Sequence, residues 1–260
     1  MHTSPQPLET RNDSQSGFLW DAHDAYLFDI DGTLLRSRDR VHFDAFVHAV
    51  RLVLGREVSL EGIPLAGNTD AAILREACLR SGVPAPILDA HHAAILTAMC
   101  DHVAQRRAEL DLMLMPAVEQ TLDHLTRRGA LLGVATGNLE SIGWTKLERA
   151  GLRHWFRFGG FSDCFSDRSQ LLAHAAQQAR ALAGPAARLC VVGDTLRDIE
   201  AARANSLSVV AVATGRFSFD QLIAHCPDLC AESLAHLLRA RPIQAHPLQA
   251  RPLQKGPAQP

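Results

Sequence analysis

The stretch Ala-Tyr-Leu-Phe-Asp-Ile-Asp-Gly-Thr, residues 25–33, decides the fold and locates the chemistry. Residues 25–30 form a compact apolar run that ends in carboxylates, which predicts a buried β-strand. Side chains alternate between the two faces of a strand, so Asp29 and Asp31 point to the same side, and Gly32 lets the chain turn sharply away. Two neighbouring carboxylates do not both ionise readily without a cation or a shared proton. Because carboxylate oxygens suit Mg²⁺, the pair predicts a magnesium site.

Further apolar runs, each followed by turn residues, alternate with helical patterns along the chain. The strand candidates are residues 130–136, 188–194 and 207–214. The helix candidates between and after them are residues 117–129, 139–151, 168–184 and 196–205. Strands that alternate with amphipathic helices predict an α/β fold with a Rossmann-like, doubly wound parallel sheet. In such a sheet the ligand site lies beyond the carboxyl ends of the strands.

One stretch interrupts this alternation. Residues 37–114 contain helical patterns but no convincing strand, which predicts a small helical domain inserted into a core made of residues 21–36 and 115–240. Helices inserted there would lie over the strand ends, as a lid does. Residues 1–20 are polar and residues 241–260 repeat a Pro-Leu-Gln unit, so both segments offer too little apolar surface for a packed core. We expect a disordered leader and a disordered, proline-rich tail.

Composition narrows the class of protein. The 260 residues are 47% hydrophobic and 21% charged, an ordinary globular balance. A net charge of −2 argues against nucleic acid as a partner, and no apolar run approaches the length of a membrane span. The six cysteines are scattered without a Cys-x-x-Cys pair, which favours reduced thiols and a cytoplasmic location.

Polar residues also follow the later strand candidates. Thr136, Gly137 and Asn138 provide a hydroxyl and backbone amides at a helix entrance, where an anion binds well. Asp194 ends the run 188–194 and adds a third carboxylate, and Asp198 follows it at the start of a helix. Outside the tail the chain has a single lysine, Lys146, so a fixed ammonium in the folded body comes from that residue.

Together these groups are suited to phosphoryl transfer. Asp29 would attack phosphorus and form an aspartyl-phosphate. Asp31 would protonate the leaving alkoxide and then take a proton from the attacking water. Mg²⁺, Thr136 and Lys146 would stabilise the negative charge on the phosphoryl oxygens.

Three motifs, DIDGTLL, VATGN and GDTLRD in that order, resemble the haloacid dehalogenase superfamily of phosphatases, and in particular its phosphoglycolate-phosphatase-like group. The resemblance implies a metal held by the side chains of Asp29 and Asp194 and by the backbone carbonyl of Asp31. It implies that Asp198 steadies a metal-bound water or the ammonium. It also implies that residues 37–114 are a helical cap whose segment LAGNTDAAIL, with Thr69 and Asp70, faces the substrate.

Several alternatives stay open at this point. The Lys-Pro element that often supplies the family's phosphate-binding lysine is missing, and Arg168 occupies its neighbourhood, so Lys146, Arg168 or both bind phosphate. Thr136, Asp198 and the pair Thr69-Asp70 also fit ordinary helix starts. A closing lid favours a small phosphorylated metabolite, such as phosphoglycolate or a sugar phosphate. The alternatives to a phosphatase are a sugar phosphomutase of the same fold and a non-catalytic binding module.

Overall fold

A computed structural model describes residues 18–239. The predicted tail, residues 241–260, lies outside this range, as does the predicted leader except for residues 18–20. Those three residues belong to the folded body, since Trp20 is buried and Phe18 packs against the same hydrophobic cluster. The Tyr26 hydroxyl donates to the Trp20 carbonyl over 2.8 Å, which ties this segment to the first strand.

Within residues 18–239 we number the elements along the chain. The strands are β1 (Ala25–Phe28), β2 (Leu35–Ser37), β3 (Leu112–Leu114), β4 (Leu131–Ala135), β5 (Phe158–Gly160), β6 (Leu189–Gly193), β7 (Ser208–Val212) and β8 (Leu229–Ala231). The helices are α1 (Val41–Leu54), α2 (Asp70–Arg80), α3 (Ala85–Gln105), α4 (Val118–Arg127), α5 (Glu140–Arg149), α6 (Arg168–Ala183), α7 (Leu196–Ala204), α8 (Phe219–Ala224) and α9 (Leu234–Arg239). Among these helices, none is both long and apolar enough to cross a membrane.

The main sheet has six parallel strands in the order β5-β4-β1-β6-β7-β8. Successive residues of β1 face opposite sides of it. Tyr26 and Phe28 pack in one cluster with α4 and α9, whereas Ala25 and Leu27 pack in another with α6 and α7. Helices therefore cover both faces, and the predicted doubly wound α/β fold is confirmed.

A helical insertion, α1 to α3, separates β2 from β3. These two strands pair antiparallel, with Leu35 opposite Leu114, and form a ribbon that the sequence did not predict because three residues are too few to show a period of two. The helical insertion has its own apolar cluster, centred on residues such as Phe46, Leu74 and Met99. Ile142 of α5 also belongs to that cluster, so the insertion packs directly against the sheet-bearing part of the chain.

The three central strands end at the same level. Phe28, the last residue of β1, pairs with Val134 of β4 and with Val192 of β6. The residues that follow these three strands therefore emerge side by side at one edge of the sheet, as expected for the carboxyl ends of parallel strands.

Candidate active site

A cavity of about 510 Å³ lies at this edge of the sheet, beneath the helical insertion. Its walls include nine of the eleven residues that the sequence singled out: Asp29, Asp31, Asp70, Thr136, Gly137, Asn138, Lys146, Arg168 and Asp194. The other two, Thr69 and Asp198, are buried behind the wall. Strands β1, β4 and β6 thus bring together residues that are far apart in the sequence.

An acidic cluster lies at the floor of the cavity, where Asp29 and Asp194 line the cavity and Asp198 is buried behind them. Carboxylate oxygens of Asp29, Asp194 and Asp198 lie within 4.8 Å of one another, and all three residues are buried. Burial raises the pKa of Asp29 to about 6, although the charge of Arg168 opposes the shift. Burial and the negative charge of Asp29 raise the pKa of Asp194 well above its ordinary value. Such raised pKa values indicate a site whose carboxylates lack full compensation of charge, and this donor set suits a hard divalent cation.

Asp198 uses its carboxylate within the protein. One oxygen accepts from the backbone and the hydroxyl of Thr195, at 3.0 and 2.6 Å, and completes a capping box at the start of α7. The other oxygen accepts from Arg168. Asp198 is therefore both a helix-capping residue and the anchor of a guanidinium next to the cavity.

Arg168 is a buried cation, 8% exposed, at the first position of α6. Its Nη2 lies 3.1 Å from Asp29 Oδ1 and 2.5 Å from Asp198 Oδ1. Although desolvation disfavours the charged form, Asp198 and Asp29 outweigh it and raise the pKa of Arg168. Arg168 thus stays charged beside Asp29.

Lys146 provides the second cation, lines the same cavity and is 2% exposed. Its Nζ donates to Asp31 Oδ2 over 2.7 Å and to Asn138 Oδ1 over 2.8 Å. Desolvation alone would raise the pKa of Asp31, but the charge and hydrogen bond of Lys146 outweigh it and leave this pKa below its ordinary value. The two aspartates of the first motif therefore have different partners, Arg168 for Asp29 and Lys146 for Asp31.

Thr136 and Asn138 shape the loop between β4 and α5. The side-chain Nδ2 of Asn138 donates to Thr136 Oγ1 over 2.7 Å and to Asp31 Oδ2 over 2.8 Å. Gly137 between them is in close contact with the helical insertion, since a Cβ there would overlap the backbone oxygen of Asn68. The loop therefore joins Asp31 on one side to the insertion on the other.

Thr69 and Asp70 bind the protein itself in this structure. The Thr69 hydroxyl accepts from Ala72 as the N-cap of α2, and donates to the Ser166 carbonyl over 2.9 Å. Asp70, 4% exposed, accepts the Leu139 backbone N–H over 2.9 Å. The helix-start interpretation thus holds for Thr69, and the Asp70 carboxylate accepts a hydrogen bond from the backbone amide of Leu139.

Sequence reasoning missed His42. Its Nδ1 lies 3.1 Å from Lys146 Nζ and its Nε2 lies 3.0 Å from Asp70 Oδ2, so one ring joins two residues of the site. The sequence carries thirteen histidines, and no spacing distinguishes this one from the others. Next to His42 the insertion contributes an apolar wall that includes Phe43, Phe46 and Ile73.

Comparison with known proteins agrees with the motifs. The family of haloacid dehalogenase-like hydrolases matches residues 23–205. A phosphoglycolate phosphatase of Synechococcus elongatus is 32% identical over 222 residues, which cover 83% of this chain and 96% of that protein. A phosphoglycolate phosphatase of Mesorhizobium japonicum is 26% identical over 82% of this chain and 96% of its own length.

Solved structures agree on the fold. CbbY from Rhodobacter sphaeroides, solved in complex with phosphate, superimposes with a TM-score of 0.61 at 22% identity, over 83% of this chain and 96% of that one. A predicted phosphoglycolate phosphatase from Haemophilus somnus superimposes with a TM-score of 0.60 at 19% identity, over 84% of this chain and 97% of that one. The resemblance inferred from the motifs is thereby confirmed: the chain belongs to the haloacid dehalogenase-like hydrolase family and, within it, is similar to the phosphoglycolate phosphatases.

Proposed function

We propose that this chain is a Mg²⁺-dependent phosphatase that hydrolyses a small phosphorylated metabolite through an aspartyl-phosphate on Asp29. One observation carries the proposal. Asp29 and Asp194 of a buried acidic cluster line one cavity together with two buried cations, Lys146 and Arg168, at the ends of three adjacent strands. Negative groups that hold a metal, together with positive groups that hold phosphate oxygens, are the parts that phosphoryl transfer needs.

The acidic cluster fits Mg²⁺. We assign the metal to side-chain oxygens of Asp29 and Asp194 and to the backbone carbonyl of Asp31. The Thr33 hydroxyl donates to Asp194 Oδ1 over 2.9 Å and so orients that carboxylate. Gly215 allows this arrangement, because a Cβ at that position would overlap Asp194 Oδ2. When bound, the cation would neutralise charge on the cluster and on the phosphoryl group.

Asp29 is the proposed nucleophile. A carboxylate oxygen of Asp29 forms a bond to phosphorus while the bond from phosphorus to the ester oxygen breaks. Asp31 gives its proton to that leaving oxygen. In the second half, Asp31 takes a proton from a water that attacks phosphorus, the bond to Asp29 breaks, and inorganic phosphate leaves with the Asp29 carboxylate restored.

The two cations share the phosphate in this proposal. Arg168 lies beside Asp29, and Lys146 lies beside Asp31. A phosphate between them would take Lys146 as a partner and add negative charge next to Asp31, which raises the pKa of that carboxyl and favours its protonated form. Substrate binding would thus prepare Asp31 to act as the acid.

Substrate identity is proposed from the relatives. Both relatives named above are phosphoglycolate phosphatases, so 2-phosphoglycolate is the first substrate to test. The helical insertion lies over the cavity and would act as a cap (residues 37–114) that closes on a small substrate. The proposal therefore favours small metabolites over phosphorylated polymers.

Release of inorganic phosphate from a panel of phosphorylated metabolites tests the proposal, with Mg²⁺ and then with EDTA. We expect steady, Mg²⁺-dependent release without a bisphosphate activator, whereas a sugar phosphomutase would need the activator and release little phosphate. Asp29→Asn should abolish turnover. Asp31→Asn should slow most the hydrolysis of esters with poor leaving groups, because those leaving oxygens need the proton that Asp31 donates.

The control is Asp123→Asn, a substitution of an exposed carboxylate on α4. Full activity of folded Asp29→Asn would assign the nucleophile elsewhere.

A further inference from the structure

We propose that Asp70 is a positioning residue that makes the active-site loop and Lys146 depend on the seating of the helical insertion. The inference rests on the proposed function, because it concerns the same phosphate site. It departs from the sequence-based expectation that Asp70 contacts the substrate. His42, which contacts both Asp70 and Lys146, takes part in this positioning.

Asp70 is bound to the loop between β4 and α5 at two points. Its backbone N–H donates to the Gly137 carbonyl over 2.7 Å. Its Oδ2 accepts the Leu139 N–H over 2.9 Å. The residue is 4% exposed, so these bonds are protected from water. One residue of the insertion thus binds both ends of the Gly137–Leu139 segment.

Helix α5 needs such a partner because it lacks an N-cap side chain of its own. Its N-cap residue is Leu139, whose side chain accepts no hydrogen bond. The Asp70 carboxylate accepts a hydrogen bond from the Leu139 N–H, and the Asp163 carboxylate accepts one from the Glu140 N–H over 2.7 Å. Carboxylates at a helix N-terminus satisfy free amides and interact favourably with the helix dipole. Asp70 therefore stabilises the start of the helix that carries Lys146.

His42 connects Asp70 to Lys146 itself. An ammonium only donates hydrogen bonds, so His42 Nδ1 must be the acceptor of the 3.1 Å contact with Lys146 Nζ. His42 Nε2 then carries the proton and donates to Asp70 Oδ2 over 3.0 Å. With Asp31 and Asn138, His42 provides the third acceptor of Lys146 Nζ. The insertion thus fixes the direction in which Lys146 points.

The close packing of the loop before α2 supports the same role. The Arg168 guanidinium points to the Gly67 carbonyl at 3.5 Å, and Thr69 donates to Ser166. A Cβ at Gly67 would come within 2.7 Å of Thr195 Oγ1. Residues 67–70 therefore lie against the core over several contacts. A carboxylate engaged in this way is also a poor ligand for an anionic substrate, because like charges repel.

Two substitutions at Asp70 separate positioning from substrate contact. In Asp70→Ala both acceptor bonds are lost. In Asp70→Asn the amide oxygen still accepts from Leu139 and His42. The control is Glu76→Gln on the same helix, since Glu76 forms an ion pair with Arg80 at the surface. The measurements are kcat and KM for 2-phosphoglycolate and for p-nitrophenyl phosphate, together with amide hydrogen exchange of the peptide that covers residues 137–142.

We expect Asp70→Ala to lower kcat/KM for both esters by about 10- to 100-fold, the effect of misplaced catalytic groups, and to speed exchange in that peptide. Asp70→Asn should remain close to the parent chain in both measurements, and Glu76→Gln should match it.

Two results would overturn the inference. Unchanged exchange and unchanged kcat/KM in Asp70→Ala would remove any positioning role. Unchanged exchange with a loss confined to KM for 2-phosphoglycolate would assign Asp70 to substrate contact instead. If the parent chain hydrolyses no phosphate ester, the proposed function fails, whereas the exchange measurement still decides whether Asp70 holds the loop.

Discussion

Replacing Arg168 with alanine perturbs the charge balance of the site most directly. The guanidinium lies within hydrogen-bond distance of both Asp29 and Asp198, and these two carboxylates share the acidic cluster with Asp194. All four residues are buried. Arg168→Ala would leave three carboxylates close together without the cation that now compensates them, so both stability and activity should fall.

The expected magnitudes follow from this geometry. Breaking a buried ion pair by removing one partner costs about 3–5 kcal/mol, because the remaining charge is uncompensated. For a chain of this size that corresponds to a decrease in Tm of roughly 6–20 °C. Loss of one donor to the phosphoryl oxygens should lower kcat by about 10²–10³-fold. Arg168→Lys keeps the charge but not the planar fork that reaches two carboxylates, so its effects should be intermediate.

Urea unfolding in EDTA and in Mg²⁺ measures the stability change, and phosphate release measures the activity. Mg²⁺ should recover part of the stability of Arg168→Ala, because the cation compensates the same carboxylates. Arg180→Ala is the matched control, an exposed arginine on the same helix. If Arg168→Ala were as stable as the parent chain in EDTA, protons rather than Arg168 would compensate the cluster, and the reasoning would be refuted.

Three further predictions concern the metal, Lys146 and Gly137. Mg²⁺ must displace the proton of Asp29, whose pKa is raised to about 6. The affinity for Mg²⁺ should therefore rise between about pH 5 and pH 7, and binding in this range should release protons. Calorimetry in two buffers counts the released protons, and zero release would contradict the raised pKa. Lys146→Met should lower kcat/KM by about 10²-fold. It should also raise the pKa of Asp31, since Lys146 now depresses that pKa. If the limb of the pH–rate profile that reports Asp31 did not move, Lys146 would not control the pKa of Asp31. Gly137→Ala should displace residues 67–70, because its Cβ would overlap the Asn68 carbonyl; normal kcat/KM and a normal Tm would show that the loop tolerates the shift.

Local sequence patterns were sufficient for four of the six strands of the main sheet. The four apolar runs that predicted strands correspond to β1, β4, β6 and β7, and each is four or five residues long. Helices α4 to α7 also lie where periodicity predicted them, and α1 to α3 lie within the stretch 37–114 that was predicted to be helical. The remaining strands have three residues each, too few for a pattern, and were missed. Strand and helix periodicity is a local property, and it is visible wherever the element is long enough.

The site was predictable for a related reason. In a parallel sheet the residues after successive strands meet at one edge, so Asp29, Thr136 and Asp194 could be placed together without coordinates. The choice between Lys146 and Arg168 could not be made, because each lies on a helix whose position depends on packing. The structure brings both cations to the cavity, where Lys146 pairs with Asp31 and Arg168 pairs with Asp29.

The sequence by itself thus determined the α/β fold and the carboxylates at the strand ends, because the alternation of strands and helices is set by local patterns of neighbouring residues. Only the tertiary structure decided the partners of Asp70 and His42, which lie 69 and 104 residues away from Leu139 and Lys146 in the chain. Locally, Thr69-Asp70 reads as an ordinary helix start and His42 as one histidine among many. Their roles arise from the packing of the helical insertion on α5, and no local pattern encodes the direction in which two distant helices meet.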